Sequence, residues 1–382
     1  MNSDHVISDS ESIKKKSVLL VFEKILNHIP KHTKVCFFIF LLSALIHLLS
    51  VLITPFSDFF TIYIASIFRT VISTLTGWLP FSVAETVVLM LPVLLVIYFI
   101  FTNEYFIKHD RPISILLYAV LSFLMILYSA SVFTFLTGYS NSTLDKKLEL
   151  EAKPVTSQDL LDTTEIVYKE LETLQGEISF SSDGFSDMPY DLGEMSDKLI
   201  ASYETCSKKY TFLHNIKANI KPVALSEAMS YTHITGVYSF FTGEANIDAV
   251  FPDFSIPYTA AHEFAHQRGI ARENEANFVA FLICINSEDA YIKYSGYMNM
   301  LQYLLNAIAK ADREMYSSFY KSMSLKTKEE FSAYSLFFDK YRDSAASKVS
   351  GAVNDTYLKL QGTEGAVSYG MVVDLAVAYY AK

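Results

Sequence analysis

Residues 255–278 read Ser-Ile-Pro257-Tyr-Thr-Ala-Ala-His262-Glu263-Phe-Ala-His266-Gln-Arg-Gly269-Ile-Ala-Arg-Glu273-Asn-Glu275-Ala-Asn277-Phe278. Two histidines four residues apart on a helix project from one face about one turn apart, so both rings can reach a single ion. Pro257 opens that helix, with Ser255 as its expected cap, and Gly269 can end it with positive φ. Glu263 lies between the histidines, where it can polarise a water on the metal instead of binding the metal. Imidazole and carboxylate donors suit zinc, and a hydrolytic zinc site keeps one position open for water.

A third ligand must come from the chain beyond Gly269. In the metzincin spacing a histidine comes three residues after the glycine, but Arg272 occupies that position here. A glutamate on the next helix is therefore required, and Glu273 and Glu275 are the candidates. Glu273 shares a helical face with Ala276, Asn277, Ala280 and Cys284, whose small or polar side chains let two helices approach. Glu275 shares its face with Phe278, Val279 and Leu282. Glu273 is the expected ligand, with Asn277 one turn on to support a ligand side chain.

On either side of this stretch the soluble part is mostly helical. Thr156–Leu174 and Met188–Lys208 show helical periodicity, and Glu273–Asn286, Ala290–Lys310, Lys328–Gly351 and Ala366–Tyr380 come after the motif. Gly236–Phe241 and Ala245–Phe251, joined at Thr242-Gly243, read as a hairpin or two short strands. Asn141 to Pro154 is a polar juxtamembrane linker.

Before residue 140 the character is different. Hydrophobic residues make up 51% of the chain and charged residues 19%, and the apolar excess is concentrated in this part. Val35–Ile53, Thr86–Thr102 and Ile113–Leu136 are long and apolar enough to span hydrocarbon. Phe59–Leu79 carries Arg69 near its middle and ends at Gly77-Trp78-Leu79-Pro80. It reads as an interfacial or re-entrant helix with Trp78 at headgroup depth. Lys14, Lys15, Lys16, Lys24, Lys31 and Lys34 precede the first span, and Lys108 and Arg111 lie between the second and third. Three spans put both groups on one side, as the positive-inside rule requires, and everything after Leu136 outside the cytoplasm. The first apolar run has no small-residue cleavage site, so no cleaved signal is expected.

The net charge of −10 argues against nucleic acid as a partner, because phosphate binding needs basic patches. Cys36, Cys206 and Cys284 make no metal pair. At most one bridge, Cys206 to Cys284, is conceivable, and two buried free thiols are expected.

The element Glu273-Asn-Glu275-Ala-Asn277 after HExxH is similar to the ExxA(D/N) element of gluzincin peptidases. Gly236-Val-Tyr, Phe241-Thr-Gly-Glu-Ala-Asn246, His262-Glu-Phe-Ala-His-Gln-Arg-Gly269 and Glu273-Asn-Glu-Ala-Asn-Phe278 together resemble a bacterial membrane family known only as domain of unknown function 3810. The resemblance runs over nearly the whole chain, including Pro80-Phe-Ser82 and Ser368-Tyr-Gly370. It implies a zinc-peptidase-like fold and no particular substrate. Gluzincin-like folds place a substrate-binding edge strand where Glu244 and Asn246 stand, and a simple turn role competes for both residues. Tyr294, Tyr297 and Tyr369 are candidate oxyanion donors whose alternative is packing. His214 and His233 read as surface or capping residues.

The expected architecture is mostly α. Residues 1–34 form a basic cytoplasmic segment, and 35–138 a membrane domain with three transmembrane helices and an interfacial segment. Residues 139–382 form an extracytoplasmic α+β zincin-like domain with a small β-hairpin or sheet and several C-terminal helices. The expected function is that of a membrane-anchored zinc metallopeptidase acting on peptide or protein substrates. Zn2+ would be held by His262, His266 and Glu273, with Glu263 as general base. Two alternatives stand beside it, a membrane sensor or scaffold with a peptidase-like zinc domain, and a zinc amidase acting on cell-wall peptides.

Overall fold

The computed structural model describes residues 29–108, 112–151, 153–342, 344–365 and 371–381. The lysines at 14, 15, 16 and 24, Arg111 and the Ser368-Tyr369-Gly370 segment lie outside the described residues. The chain is mostly helical with one small sheet. Two compact units emerge. One comprises the described residues up to Ile46 together with Leu91–Val132. The other comprises His47–Met90 together with the chain from Phe133 onward.

Apolar helices run over Lys31–Leu52, Thr54–Gly77, Val83–Lys108 and Pro112–Thr134. Lys31–Leu52, Thr54–Gly77 and Leu116–Thr134 are each long and apolar enough to cross a membrane, and Val83–Ile97 is a shorter apolar stretch. In the first unit, Phe40 packs on Tyr128 with ring centroids 5.3 Å apart, and Ser122 bonds Thr33 at 3.0 Å. These contacts hold the first apolar helix to the last. Thr54–Gly77, expected as an interfacial or re-entrant segment, is one unbroken helical rod: α over Thr54–Phe59, π over Phe60–Ala65 and α over Ser66–Gly77.

In the second unit, Thr156 caps the helix Ser157–Leu174 with a full capping box to Asp159, and Asp191 caps Leu192–Lys209. The motif helix, Ser255–Gln267, is almost entirely buried. It packs between the helices Glu273–Ile285 and Ala290–Ala311 on one side and the sheet on the other. Ser255 does not cap it. Residue 254 is the cap position, and the Ser255 hydroxyl bonds the Pro252 carbonyl at 2.8 Å. Pro257 sits in the first turn, where a missing N–H costs nothing.

The sheet has the order β1-β3-β2, with β1 at Lys221–Pro222, β2 at Gly236–Ser239 and β3 at Glu244–Ile247. β2 and β3 form the expected hairpin, with Val237 opposite Asn246, and Gly243 closes the turn with φ +69°. Toward the C-terminus, the single helix expected over Lys328–Gly351 is two. Leu325–Asp339 is capped by Ser324, and Ala345–Leu360 is capped by Ser344, whose hydroxyl accepts the Ser347 N–H. The last helix is Val372–Tyr380. All three cysteines are free, and Cys206 and Cys284 are buried.

Candidate metal centre

The motif helix ends in a Schellman turn. The Gly269 N–H bonds the His266 carbonyl at 2.9 Å and the Ile270 N–H bonds the Ala265 carbonyl at 3.1 Å, with Gly269 at φ +91°. This turn orients the His266 ring, because it brings the Ile270 carbonyl back to His266 Nδ1 at 2.7 Å. Nδ1 is thereby occupied, leaving Nε2 to face the opposite helix. The Phe135 ring packs against His266 in a T-shaped arrangement, with centroids 5.6 Å apart.

Opposite stands Glu273, at the first position of its helix. Its Oε2 lies 3.2 Å from His262 Nε2 and 3.5 Å from His266 Nε2. One ligand atom from each of His262, His266 and Glu273 lies within 4.8 Å of the other two. The rings of His262 and His266 are 4.6 Å apart and perpendicular. Burial alone would raise the Glu273 carboxyl, but the two imidazoles outweigh it and hold it well below the usual carboxylate range. Burial would likewise lower His266, and the Glu273 carboxylate reverses this and raises it.

Glu275 points elsewhere. Its carboxylate accepts from Arg272 at 2.8 Å and from the Leu144 N–H at 3.0 Å. Arg272 in turn donates to the carbonyls of Tyr139 and Asn141, both at 2.7 Å. The second glutamate thus ties the linker after the last apolar helix to the carboxylate helix.

Glu263 is buried beside the two histidines and accepts the Tyr238 backbone N–H, while its Oε2 has no partner among the described residues. Burial pushes its carboxyl up to about 7, against the lowering effect of His262 and His266. It has room only because residue 236 is glycine. A Cβ there would stand 2.6 Å from Glu263 Oε1. The N-terminal end of β2 therefore lies directly over the proposed base.

Other expected site residues fall away from the cluster. Glu244 receives the Val83 and Ala84 N–H groups at 3.0 and 2.8 Å, so it caps the helix Val83–Lys108. Asn246, on the central strand, donates to the Val237 and Glu244 carbonyls. Tyr294 donates to Glu330, and Tyr297 packs on Phe281 and bonds Tyr380. The Asn277 amide nitrogen has no partner among the described residues. His233 bonds the Tyr341 carbonyl at 2.9 Å, and His214 bonds the Ile62 backbone.

Three contributions were not read from the sequence: the space left at Gly236, the protein contacts of Arg69 and the Ile270 carbonyl. Arg69 is fully buried and donates to the carbonyls of Thr61 (2.8 Å), Thr134 (3.2 Å) and Arg268 (3.4 Å). Gly269 could carry no side chain against it, since a Cβ would meet the guanidinium carbon at 2.8 Å. A legible signal existed in the four-residue repeat of Ser57, Thr61, Arg69 and Ser73, a polar stripe along an otherwise apolar helix.

The molecule is thus a helical chain with apolar helices and a partly buried His-His-Glu cluster beside a buried carboxylate with one unpartnered oxygen. Residues 60–377 match a family described as protein of unknown function (DUF3810), and the chain belongs to that family. No curated protein and no solved structure matches it.

Proposed function

We propose that the protein is a membrane-anchored zinc metallopeptidase of zincin-like type, with the domain after residue 139 outside the cytoplasm. The observation that carries the reading is the cluster itself, two imidazole nitrogens and a carboxylate oxygen within 4.8 Å, with Glu263 alongside and its Oε2 without a partner among the described residues. The donor set fits zinc. His266 has its other nitrogen satisfied by a carbonyl, as metal-binding histidines do, while His262 Nδ1 has no partner among the described residues. A buried carboxylate with an unsatisfied oxygen is costly in a purely structural site, and it has a use where water must be activated.

His262, His266 and Glu273 would hold the ion. Zinc, when bound, supplies Lewis acidity that polarises a carbonyl and makes water more acidic. Glu263 takes a proton from the attacking water at Oε2 and delivers it to the leaving amine nitrogen as the C–N bond breaks. The placement of the domain rests on the lysines before the first apolar helix and on Lys108 and Arg111, which share a side when three helices cross.

The test is Glu263→Gln in the full-length protein. Zinc content and folding are expected to hold, while hydrolysis of a peptide mixture falls by about 10²–10⁴-fold. A variant as active as the wild type would remove Glu263 from the chemistry. A zinc-loaded wild type that cleaves nothing would favour the sensor or scaffold role.

A further inference from the structure

We propose that the rod Thr54–Gly77 lies flat in the membrane interface and carries the metal centre on the bilayer surface. The polypeptide cleaved there is then itself membrane-anchored and is cut close to its anchor. This last part rests on the peptidase reading above.

The rod has two faces. Ser57, Thr61, Arg69 and Ser73 are buried, and with Thr76 they bond the domain after residue 133. On the other side Phe59, Tyr63, Ile67, Val71 and Leu75 are 51–65% exposed. The exposed series steps by four residues, and so does the buried one from Ser57 to Ser73, with Ala65 between Thr61 and Arg69. Such a repeat runs ahead of a 3.6-residue helix, and the π turn at Phe60–Ala65, with more residues per turn, sets it back. The apolar stripe therefore stays on one side for the length of the rod, as in helices that lie in an interface.

What covers the polar face argues against a rod running through the bilayer. At its start, the Ser57 hydroxyl donates to Thr137 O at 2.7 Å, and Asp58 accepts the Ser142 N–H and pairs with Lys147 at 3.6 Å. Near its end, Ser73 and Thr76 bond the carbonyls of Gly243 and Thr242 at the hairpin turn. Irregular backbone and charges line the rod from one end to the other, and hydrocarbon does not accept them.

Connectivity agrees. Ile53 alone separates the rod from Lys31–Leu52, and residues 78–82 separate it from Val83–Lys108. If one of these apolar helices leaves the cytoplasm and the other returns, both ends of the rod lie at the same surface. Trp78, 77% exposed, comes just after the last turn, where an aromatic belt is expected.

The metal centre is one layer away. Arg69 on the rod touches the Arg268–Gly269 turn, and the next residue, Ile270, orients His266. The cluster therefore stands in the layer packed directly on the rod, which is itself about 10–12 Å thick. At about 3.3–3.6 Å per extended residue, only residues close to a membrane anchor stay within reach of that layer.

The experiment uses the full chain in lipid nanodiscs and exploits its single tryptophan. Trp78 is measured in place. In a Trp78→Phe background, Phe59→Trp, Ile67→Trp and Leu75→Trp are then measured in turn, with quenching by lipids brominated at graded acyl depths. One shared shallow depth is expected. Depth that changes steadily along the series by about 1.5 Å per residue, or no quenching, would overturn the flat rod. A randomised peptide mixture is then supplied free, or joined directly to a transmembrane segment, or joined through a long Gly/Ser spacer. The directly joined form is expected to be cleaved at least tenfold faster than the other two. Equal cleavage of all three would overturn the substrate class and leave the peptidase standing. No cleavage by zinc-loaded protein would overturn the peptidase reading, while the depth profile stands independently.

Discussion

At Gly236 the missing side chain is what gives Glu263 its place, since a Cβ would fall within 3 Å of three of its side-chain atoms. Gly236→Ala should therefore displace the carboxylate without touching the ligands. Activity on a peptide mixture is expected to drop at least tenfold with zinc content unchanged, and full activity would show that Glu263 tolerates the shift. His262, Glu263 and His266 were legible because their relation is local, one turn of one helix. Glu273 was legible through the small side chains on its face, which foretold a close helix pair. Gly236 was not, because nothing near it in sequence says that a carboxylate 27 positions later will fill its side-chain volume. The same limit explains Glu244. A glutamate in a hairpin gives no sign that it will receive two N–H groups from a helix start some 160 residues earlier.

Among elements, the helices with polar caps and regular periodicity were legible to within a few residues. The expected helix over Lys328–Gly351 was the exception. Its apolar periodicity continues across residues 340–344, but Ser344 offers a better start to a new helix than a middle to an old one. Tertiary polar contacts were also beyond reach of periodicity, and one has a measurable consequence. Glu330, on the helix Leu325–Asp339, is fully buried against Ser186, from another part of the chain, and Tyr294, on the helix Ala290–Ala311. Burial pushes its carboxyl up to about 7, while the Ser186 bonds oppose the rise. A raised folded pKa means that the native state holds the proton longer than the unfolded chain does. Its stabilisation is thus full below the ordinary glutamate pKa of about 4.3 and is lost as pH rises through about 7. Glu330→Gln removes that proton. The variant's melting temperature relative to wild type should therefore rise between pH 5 and pH 8, and a constant difference would refute a titrating Glu330.

For the whole molecule, apolar run lengths picked out Lys31–Leu52 and Leu116–Thr134 as long and apolar enough to cross a membrane, but took Thr86–Thr102 for the other span, where Val83–Ile97 is a shorter apolar stretch, and passed over Thr54–Gly77. Its composition is apolar enough to span. Yet its polar stripe meets loops far along the chain, and only the fold shows that Arg69 faces protein. The rod, the linker held by Arg272 and Glu275, and the two ligand helices form one connected support for the His-His-Glu cluster. The proposed function rests most directly on zinc at this cluster. The decisive measurement is the metal content of the purified full-length protein, taken side by side for wild type, Glu273→Gln and Glu275→Gln at neutral pH. One zinc per chain is expected in wild type and in Glu275→Gln, whose carboxylate serves Arg272 and Leu144, with most of it lost from Glu273→Gln. A wild type without zinc, or loss from Glu275→Gln with retention by Glu273→Gln, would contradict the account.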